Sequence, residues 1–196
     1  MSLPRGGGLI ALAMTDRPND PFAHIRAATN EHRRRHGCSA YPYANGPLLG
    51  ALAAGIGARR ILELGTALGY SALWLARGAR DGVVDTIERD DEHVRLAREN
   101  VEACGLSGHV VVHPGAFDTV LRSLDPGYDL AFVDGSTPAK ALLGAVTRLL
   151  RTGAMLISAN LTHEGSDPYR AALMNGRSWL TAFVDEQGET AISIKR

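Results

Sequence analysis

Residues 61–71, Ile-Leu-Glu-Leu-Gly-Thr-Ala-Leu-Gly-Tyr-Ser, constrain the fold of this chain more than any other stretch. A short apolar run carrying Glu63 breaks into spaced glycines, and the residues after them have helix spacing. Ile61, Leu62 and Leu64 read as a buried parallel strand, Gly65 and Gly69 permit tight turning and close backbone approach, and residues 71–79 continue as a helix. Such a turn presents the unpaired N–H groups of a helix N-terminus, which favour an anionic group such as a carboxylate or phosphate. The expectation is a nucleotide-cofactor site in an α/β fold.

From Arg60 onward, strand and helix patterns alternate with short connections, which predicts a parallel sheet covered on both faces. A second strand over 83–87 ends at Glu88. Asp90 is placed to cap a helix over 91–104, with Val94, Ala97 and Val101 on one face and Gly105 as its stop. Further strands are predicted at 109–113, 128–133 and 154–158. Between the last two, Thr137-Pro138 starts a helix whose Ala141, Leu142, Ala145, Val146 and Leu149 face the core. His163, Glu164 and Asn175-Gly176 fall in a looser region, and 179–185 and 190–195 form a closing antiparallel pair around Gly188. Residues 21–36 read as a helix ending in His32-Arg33-Arg34-Arg35-His36, a charge run that suits the C-terminal end of the helix dipole. Residues 1–20, with three consecutive glycines, read as a flexible leader. One domain then covers 21–196, with an N-terminal helical extension.

At 196 residues the chain is long enough for one substantial core. Lys plus Arg equals Asp plus Glu at 21 each, which argues against a nucleic-acid groove or a polybasic membrane surface and suits a small-molecule substrate. No apolar run approaches the roughly 18 residues of a membrane span. Cys38 and Cys104 show no zinc or redox spacing, so a reducing, cytoplasmic setting is expected, with Cys104 as a buried small apolar residue. His24, His32, His36 and His93 read as exposed helix residues, and His109 and His113 as structural residues flanking a strand.

Glu88 lies about 20 residues past the glycine turn, at the end of the second strand, where a carboxylate can accept both hydroxyls of a ribose. That position supports a nucleoside cofactor without choosing which. The glycine spacing discriminates further. A dinucleotide site wants G-x-G-x-x-G, and Ala67 stands where the middle glycine would be. The pattern E-x-G-x-x-x-G resembles the first motif of class I S-adenosylmethionine-dependent methyltransferases. Its wording is similar to the O-methyltransferase family that includes catechol and caffeoyl-CoA methyltransferases. The resemblance runs over roughly residues 40–196, through Ala-Arg-Arg-Ile-Leu-Glu-Leu-Gly-Thr (58–66), Ala-Arg-Glu-Asn-Val-Glu-Ala-Cys-Gly-Leu (97–106), Phe-Val-Asp-Gly (132–135) and the closing Gly-Glu-Thr-Ala-Ile-Ser-Ile-Lys-Arg (188–196).

That resemblance implies a Rossmann-like, seven-stranded, mostly parallel sheet with an antiparallel last strand and helices on both faces. S-adenosylmethionine would bind across the carboxyl ends of strands one to four. By position, the turn Gly65, Thr66, Ala67 and Gly69, with Glu63 and Ser71, would hold the methionine end. Glu88 would hold the ribose, and Arg89, Gly115, Ala116 and Phe117 the adenine side. Asp134 would sit beside the sulfonium and the methyl acceptor. Pairing of two copies through the N-terminal region, as relatives do, fits the same resemblance.

Many relatives bind a divalent cation through an Asp after strand four and an Asp-Asn pair after strand five, with a Lys three residues beyond the first Asp. A hard cation with oxygen ligands lowers the pKa of an acceptor hydroxyl. Here Asp134 and Asn160 occupy two of those ligand positions, but Ala159 and Thr137 replace the other Asp and the Lys, so tight magnesium binding is disfavoured. Lys140 reads as a solvent-facing helix residue. His163 and Glu164 follow Asn160 at the carboxyl end of strand five, where His163 can serve as general base near neutral pH or as a substitute ligand beside Asp134; a loop histidine with neither role is the competing reading. Three functions stay open: an O-methyltransferase of a small hydroxylated molecule, a catalytically inactive S-adenosylmethionine-binding protein, and a nicotinamide-dependent oxidoreductase.

Overall fold

The computed structural model describes residues 20–135 and 138–196. The leader expected over 1–20 therefore lies, apart from Asp20, outside the described residues, as does Thr137. Seven strands form one sheet: β1 (Arg60–Leu64), β2 (Val83–Glu88), β3 (Val110–Pro114), β4 (Tyr128–Val133), β5 (Leu150–Ser158), β6 (Trp179–Phe183) and β7 (Ala191–Lys195). Their order is β3-β2-β1-β4-β5-β7-β6. The first five run parallel, and β7 lies antiparallel between β5 and β6. Chain order departs in opposite directions from β1, to β2 on one side and β4 on the other. Parallel α/β sheets carry their ligand crevices at such a switch point, outside the carboxyl ends of the strands.

The apolar runs follow from burial on both faces. In β1, Ile61 joins one core layer while Leu62 and Leu64 join the other; in β4, Leu130 and Phe132 separate from Ala131 and Val133 in the same way. Side chains alternate across a strand, so a strand covered twice must be apolar at successive positions. The first layer is closed by α1 (Ala23–His36), α2 (Gly46–Gly55), α3 (Tyr70–Ala79) and α4 (Asp91–Ala103). The second is closed by α5 (Phe117–Ser123), α6 (Lys140–Leu149) and α7 (Asp167–Leu173). Asp90 caps α4 as expected, its carboxylate accepting from the N–H groups of Glu92 and His93. Gly105, at φ +69°, follows the end of that helix.

Several expectations are corrected. α6 begins at Lys140, after an extended Ala139, rather than at Thr137-Pro138. Its buried line is Leu143, Val146 and Leu149, whereas Ala141 is exposed and Leu142 and Ala145 are half-buried toward a cleft. Two adjacent apolar lines share this helix and only one meets the sheet. β5 starts at Leu150 instead of Ala154, with a register irregularity opposite residues 128–130. α2, α5 and α7 have no counterpart in the predicted pattern: α2 is apolar on every side, and the other two are only seven residues long. Cys104 is half-buried at the end of α4 rather than fully enclosed.

Candidate functional site

A cleft of about 1690 Å3 opens over the carboxyl ends of β1, β2 and β4. Its floor is the turn between β1 and α3. Gly65 has φ +100°, and a Cβ there would lie 2.6 Å from the Asp134 carbonyl oxygen, so glycine is required both for conformation and for the approach of the β4 backbone. Ala67 holds a positive φ of 44°, uncommon outside glycine, and its N–H donates to Glu88 Oε2 at 2.9 Å. Gly69, at φ +95°, precedes the first turn of α3, which no side chain caps. The N–H groups of that turn are therefore free to meet an anionic group.

Behind the turn, Glu63 is fully buried. Thr86 Oγ1 donates to its Oε2 at 2.6 Å, and Thr66 Oγ1 lies 2.6 Å from the Thr86 hydroxyl. Thr86 has one hydroxyl proton, so with that proton on Glu63 it is Thr66 that donates to Thr86. Glu63 Oε1 has no hydrogen-bond partner among the described residues. Burial raises its carboxyl to about 8 against the opposing pull of the Ser71 and Thr86 hydroxyls. A buried carboxyl with an orphaned oxygen beneath uncapped N–H groups is a donor and acceptor set that fits the ammonium and carboxylate of an amino-acid moiety. Ser71 is itself buried in the first turn of α3.

Glu88 is half-buried at the end of β2 and accepts three backbone N–H bonds, from Ala67, Arg89 and Asp90, at 2.9, 2.9 and 3.0 Å. Its carboxylate is thereby fixed facing the cleft, which Arg89 also lines. Gly115, at φ +134°, turns the chain into α5, and Ala116 and Phe117 line the cleft from there. A Cβ on Gly135 would sit 2.8 Å from the Phe117 ring, so the glycine admits that ring close to the end of β4.

Asp134 follows β4 and lines the same cleft. Asn160 Nδ2 donates to Asp134 Oδ1 at 3.0 Å and to the Gly135 carbonyl at 2.7 Å. Burial raises the Asp134 carboxyl to about 7; the Asn160 bond opposes that rise and the charge of Glu189 adds to it. His163 is exposed at the mouth, with its backbone N–H donating to the Asn160 carbonyl at 3.2 Å. Glu63, Thr66, Gly69, Ser71 and Gly115 support the cleft from behind, while Gly65, Ala67, Glu88, Ala116, Phe117, Asp134, Asn160 and His163 line it.

The residues do not fit a hard divalent cation at Asp134. Asn160 turns its N–H toward Asp134, and reversing the amide would set its oxygen against two acceptors. Ala159 offers no donor and is buried. One carboxylate already occupied by an amide is a poor oxygen set for magnesium.

The sequence reading missed the loop-built wall beside the end of β4. Tyr43 packs edge-on against Phe132, with ring centroids 5.0 Å apart at 67°, and burial raises its phenol. Asp185, Glu189 and Thr190, from the connection between β6 and β7, complete that side. The signals available were the Tyr41-Pro42-Tyr43 cluster and the acidic residues flanking Gly188, neither of which has a fixed spacing to the glycine turn. His93 is also corrected: it is buried in the first turn of α4 and lines the cleft, because α1 covers what would otherwise be an open helix face. His109 and His113 take structural roles, bonded to the Gly82 carbonyl and the Asp85 carboxylate.

Comparison with known proteins gives the same picture. Residues 62–160, half of the chain, match the methyltransferase domain family. A catechol O-methyltransferase of Mycobacterium tuberculosis is 38% identical over 123 residues, covering 61% of this chain and 56% of that protein. A catechol O-methyltransferase of Niastella koreensis is 32% identical over 114 residues, covering 55% and 52%. The chain spans about half of the length of these two curated relatives. The solved O-methyltransferase TomG of Streptomyces achromogenes, in complex with S-adenosylmethionine, superposes with a TM-score of 0.75 at 26% identity over 87% of this chain and 89% of that one. The chain belongs to the methyltransferase domain family, among the class I S-adenosylmethionine-dependent O-methyltransferases.

Proposed function

We propose that this protein transfers a methyl group from S-adenosylmethionine to the hydroxyl of a small molecule, without a magnesium ion at Asp134. The observation that carries the reading is Asp134: a carboxyl raised to about 7 by burial, in the same cleft as Glu88 and the β1–α3 turn. When bound, S-adenosylmethionine supplies an activated methyl group on a positively charged sulfur. Glu63, Ser71 and the turn Gly65-Thr66-Ala67, with Gly69 at the start of α3, hold the methionine end. Glu88 accepts the ribose hydroxyls, and Arg89, Gly115, Ala116 and Phe117 border the adenine.

The chemistry left to the chain is positioning and proton removal. Asn160 ties down Asp134 Oδ1, which leaves Oδ2 for the acceptor hydroxyl. A base with a pKa near 7 is ionised in about half of the molecules at neutral pH and still basic enough to take a proton. His163, at the exposed mouth, is placed to carry that proton to solvent. Tyr43, Thr190 and Glu189 form the acceptor wall, which suits a small hydroxylated molecule. A cytoplasmic setting, a single domain over 21–196 and pairing of two copies complete the proposal; light scattering reports the last.

A binding protein without turnover is the second reading, favoured by the missing donor at Ala159. Methyl transfer from labelled S-adenosylmethionine to a panel of catechols and other small phenols decides between them. The expected result is product formation that survives chelation of divalent cations and falls at least about 100-fold in Asp134→Asn, the lower end of a general base's contribution of roughly 100- to 10,000-fold. Cofactor binding with no turnover on any hydroxylated acceptor would favour the second reading.

A further inference from the structure

Outside the residues assigned above, His32, Cys38 and His93 bring one ligand atom each to within 4.8 Å of one another. They come from three places: the last turns of α1, the loop just after it, and the first turn of α4. Gly37, in the left-handed conformation at φ +64°, ends α1 and turns the chain so that Cys38 returns toward His32. The His93 ring is buried, with its backbone N–H bonded to the Asp90 cap and its Nδ1 3.9 Å from Glu88 Oε1. The rings of His32 and His93 meet nearly at right angles, 73°, with centroids 5.2 Å apart. His36 stacks on the far side of this group and is exposed.

We propose that His32, Cys38 and His93 form a binding site for a borderline divalent cation, zinc being the representative, at the rim of the cofactor cleft. One thiolate and two imidazoles are a zinc-type donor set and a poor one for magnesium. Ligand atoms on a tetrahedral zinc stand roughly 3.3–3.8 Å apart, given bonds of about 2.0–2.3 Å. The structure is thus within about 1–1.5 Å of that geometry, and Cys38, on a loop beside a glycine, supplies the adjustment. Glu88 Oε1, 3.9 Å from His93 Nδ1, adds a carboxylate's negative charge beside the site. Cys38 and His93 both line the cleft, so the fourth position is open to water or to a bound molecule. A cation there ties the end of α1 to α4 and fixes the wall that the N-terminal segment contributes.

The spacing in sequence conceals the site, since His32 and Cys38 are six residues apart and the third ligand is distant. The test is a titration of the chelator-stripped full chain with zinc, followed by cobalt as a spectroscopic substitute. The proposal predicts one bound equivalent, release of protons from the thiol, and a thiolate-to-cobalt charge-transfer band. Cys38→Ser and His32→Ala, both at half-buried positions, lose the band while retaining their circular dichroism. His93→Ala loses it too, and Asp134→Asn keeps it. No bound zinc in the parent chain, an unchanged band in Cys38→Ser, or loss in Asp134→Asn with Cys38→Ser unaffected would each overturn the proposal. None of these readouts depends on methyl transfer.

Discussion

Asp134 and Glu63 carry the electrostatics of the cleft, and both carboxyls stand well above their ordinary values, at about 7 and about 8. A carboxyl raised by folding binds more protons in the folded chain than in the unfolded one. The stability it contributes is fully present below the unfolded pKa and is lost as pH rises through the folded pKa. Stability should therefore fall between about pH 4 and pH 8 on account of these groups, on the order of a few kcal/mol. Glu63→Gln should flatten that dependence, as read from urea unfolding at pH 5 and pH 8. Binding shows the same linkage: the sulfonium of S-adenosylmethionine favours ionised Asp134, whereas the uncharged sulfur of S-adenosylhomocysteine does not. The ratio of the two affinities is expected to rise with pH up to about 7 and then level off. Calorimetry on Asp134→Asn should show no such rise. Glu63 and Glu88 were legible in sequence because each punctuates or terminates a strand, and Asp134 through the family resemblance of Phe-Val-Asp-Gly over residues 132–135. The perturbation of Asp134 was not, because it arises from burial and from Glu189, which lies far along the chain.

At the scale of elements, α2 and α3 meet through glycines. A Cβ on Gly78 would lie 2.1 Å from the Gly50 carbonyl oxygen, and one on Gly46 would lie 2.3 Å from the Trp74 ring. Both contacts are too close for a side chain, so Gly78→Ala should destabilise the fold by about 1–3 kcal/mol, the usual cost of overpacking, seen as a lower urea midpoint. Cofactor affinity should fall with it, because α3 carries the turn at its start. The β1–turn–α3 unit and α4 were readable from glycine spacing, capping chemistry and period. α2 was not, since an apolar helix with three glycines shows neither amphipathic period nor strong propensity. α6 was expected to start at Thr137-Pro138 but begins at Lys140, and its core-facing line differs from the expected one because Leu142 and Ala145 form a second apolar line that faces the cleft instead of the sheet.

For the whole molecule, the sheet order brings Gly65, Ala67, Glu88, Arg89, Ala116, Phe117 and Asp134 to one cleft at the carboxyl ends of the strands, beside the switch between β1 and β4. The alternation of strand and helix made this parallel core legible, and the closing pair around Gly188 marked its antiparallel edge. The wall formed by residues 38–48 and 184–190 was not legible, because loops contribute single residues whose meeting depends on the completed fold. Among the described residues no helix is long and apolar enough to cross a membrane. Glu88→Ala removes a charged acceptor and leaves three N–H groups without their partner. At about 1.5–3 kcal/mol for a charge-assisted hydrogen bond, S-adenosylhomocysteine affinity should fall roughly 10- to 100-fold. The most direct measurement is calorimetric titration of the full chain with S-adenosylhomocysteine, with and without magnesium, using NAD as the control ligand. Micromolar binding that ignores magnesium, exceeds any NAD signal and collapses in Glu88→Ala is the predicted result. Binding to NAD alone, or no binding of S-adenosylhomocysteine, would contradict the assignment of this cleft.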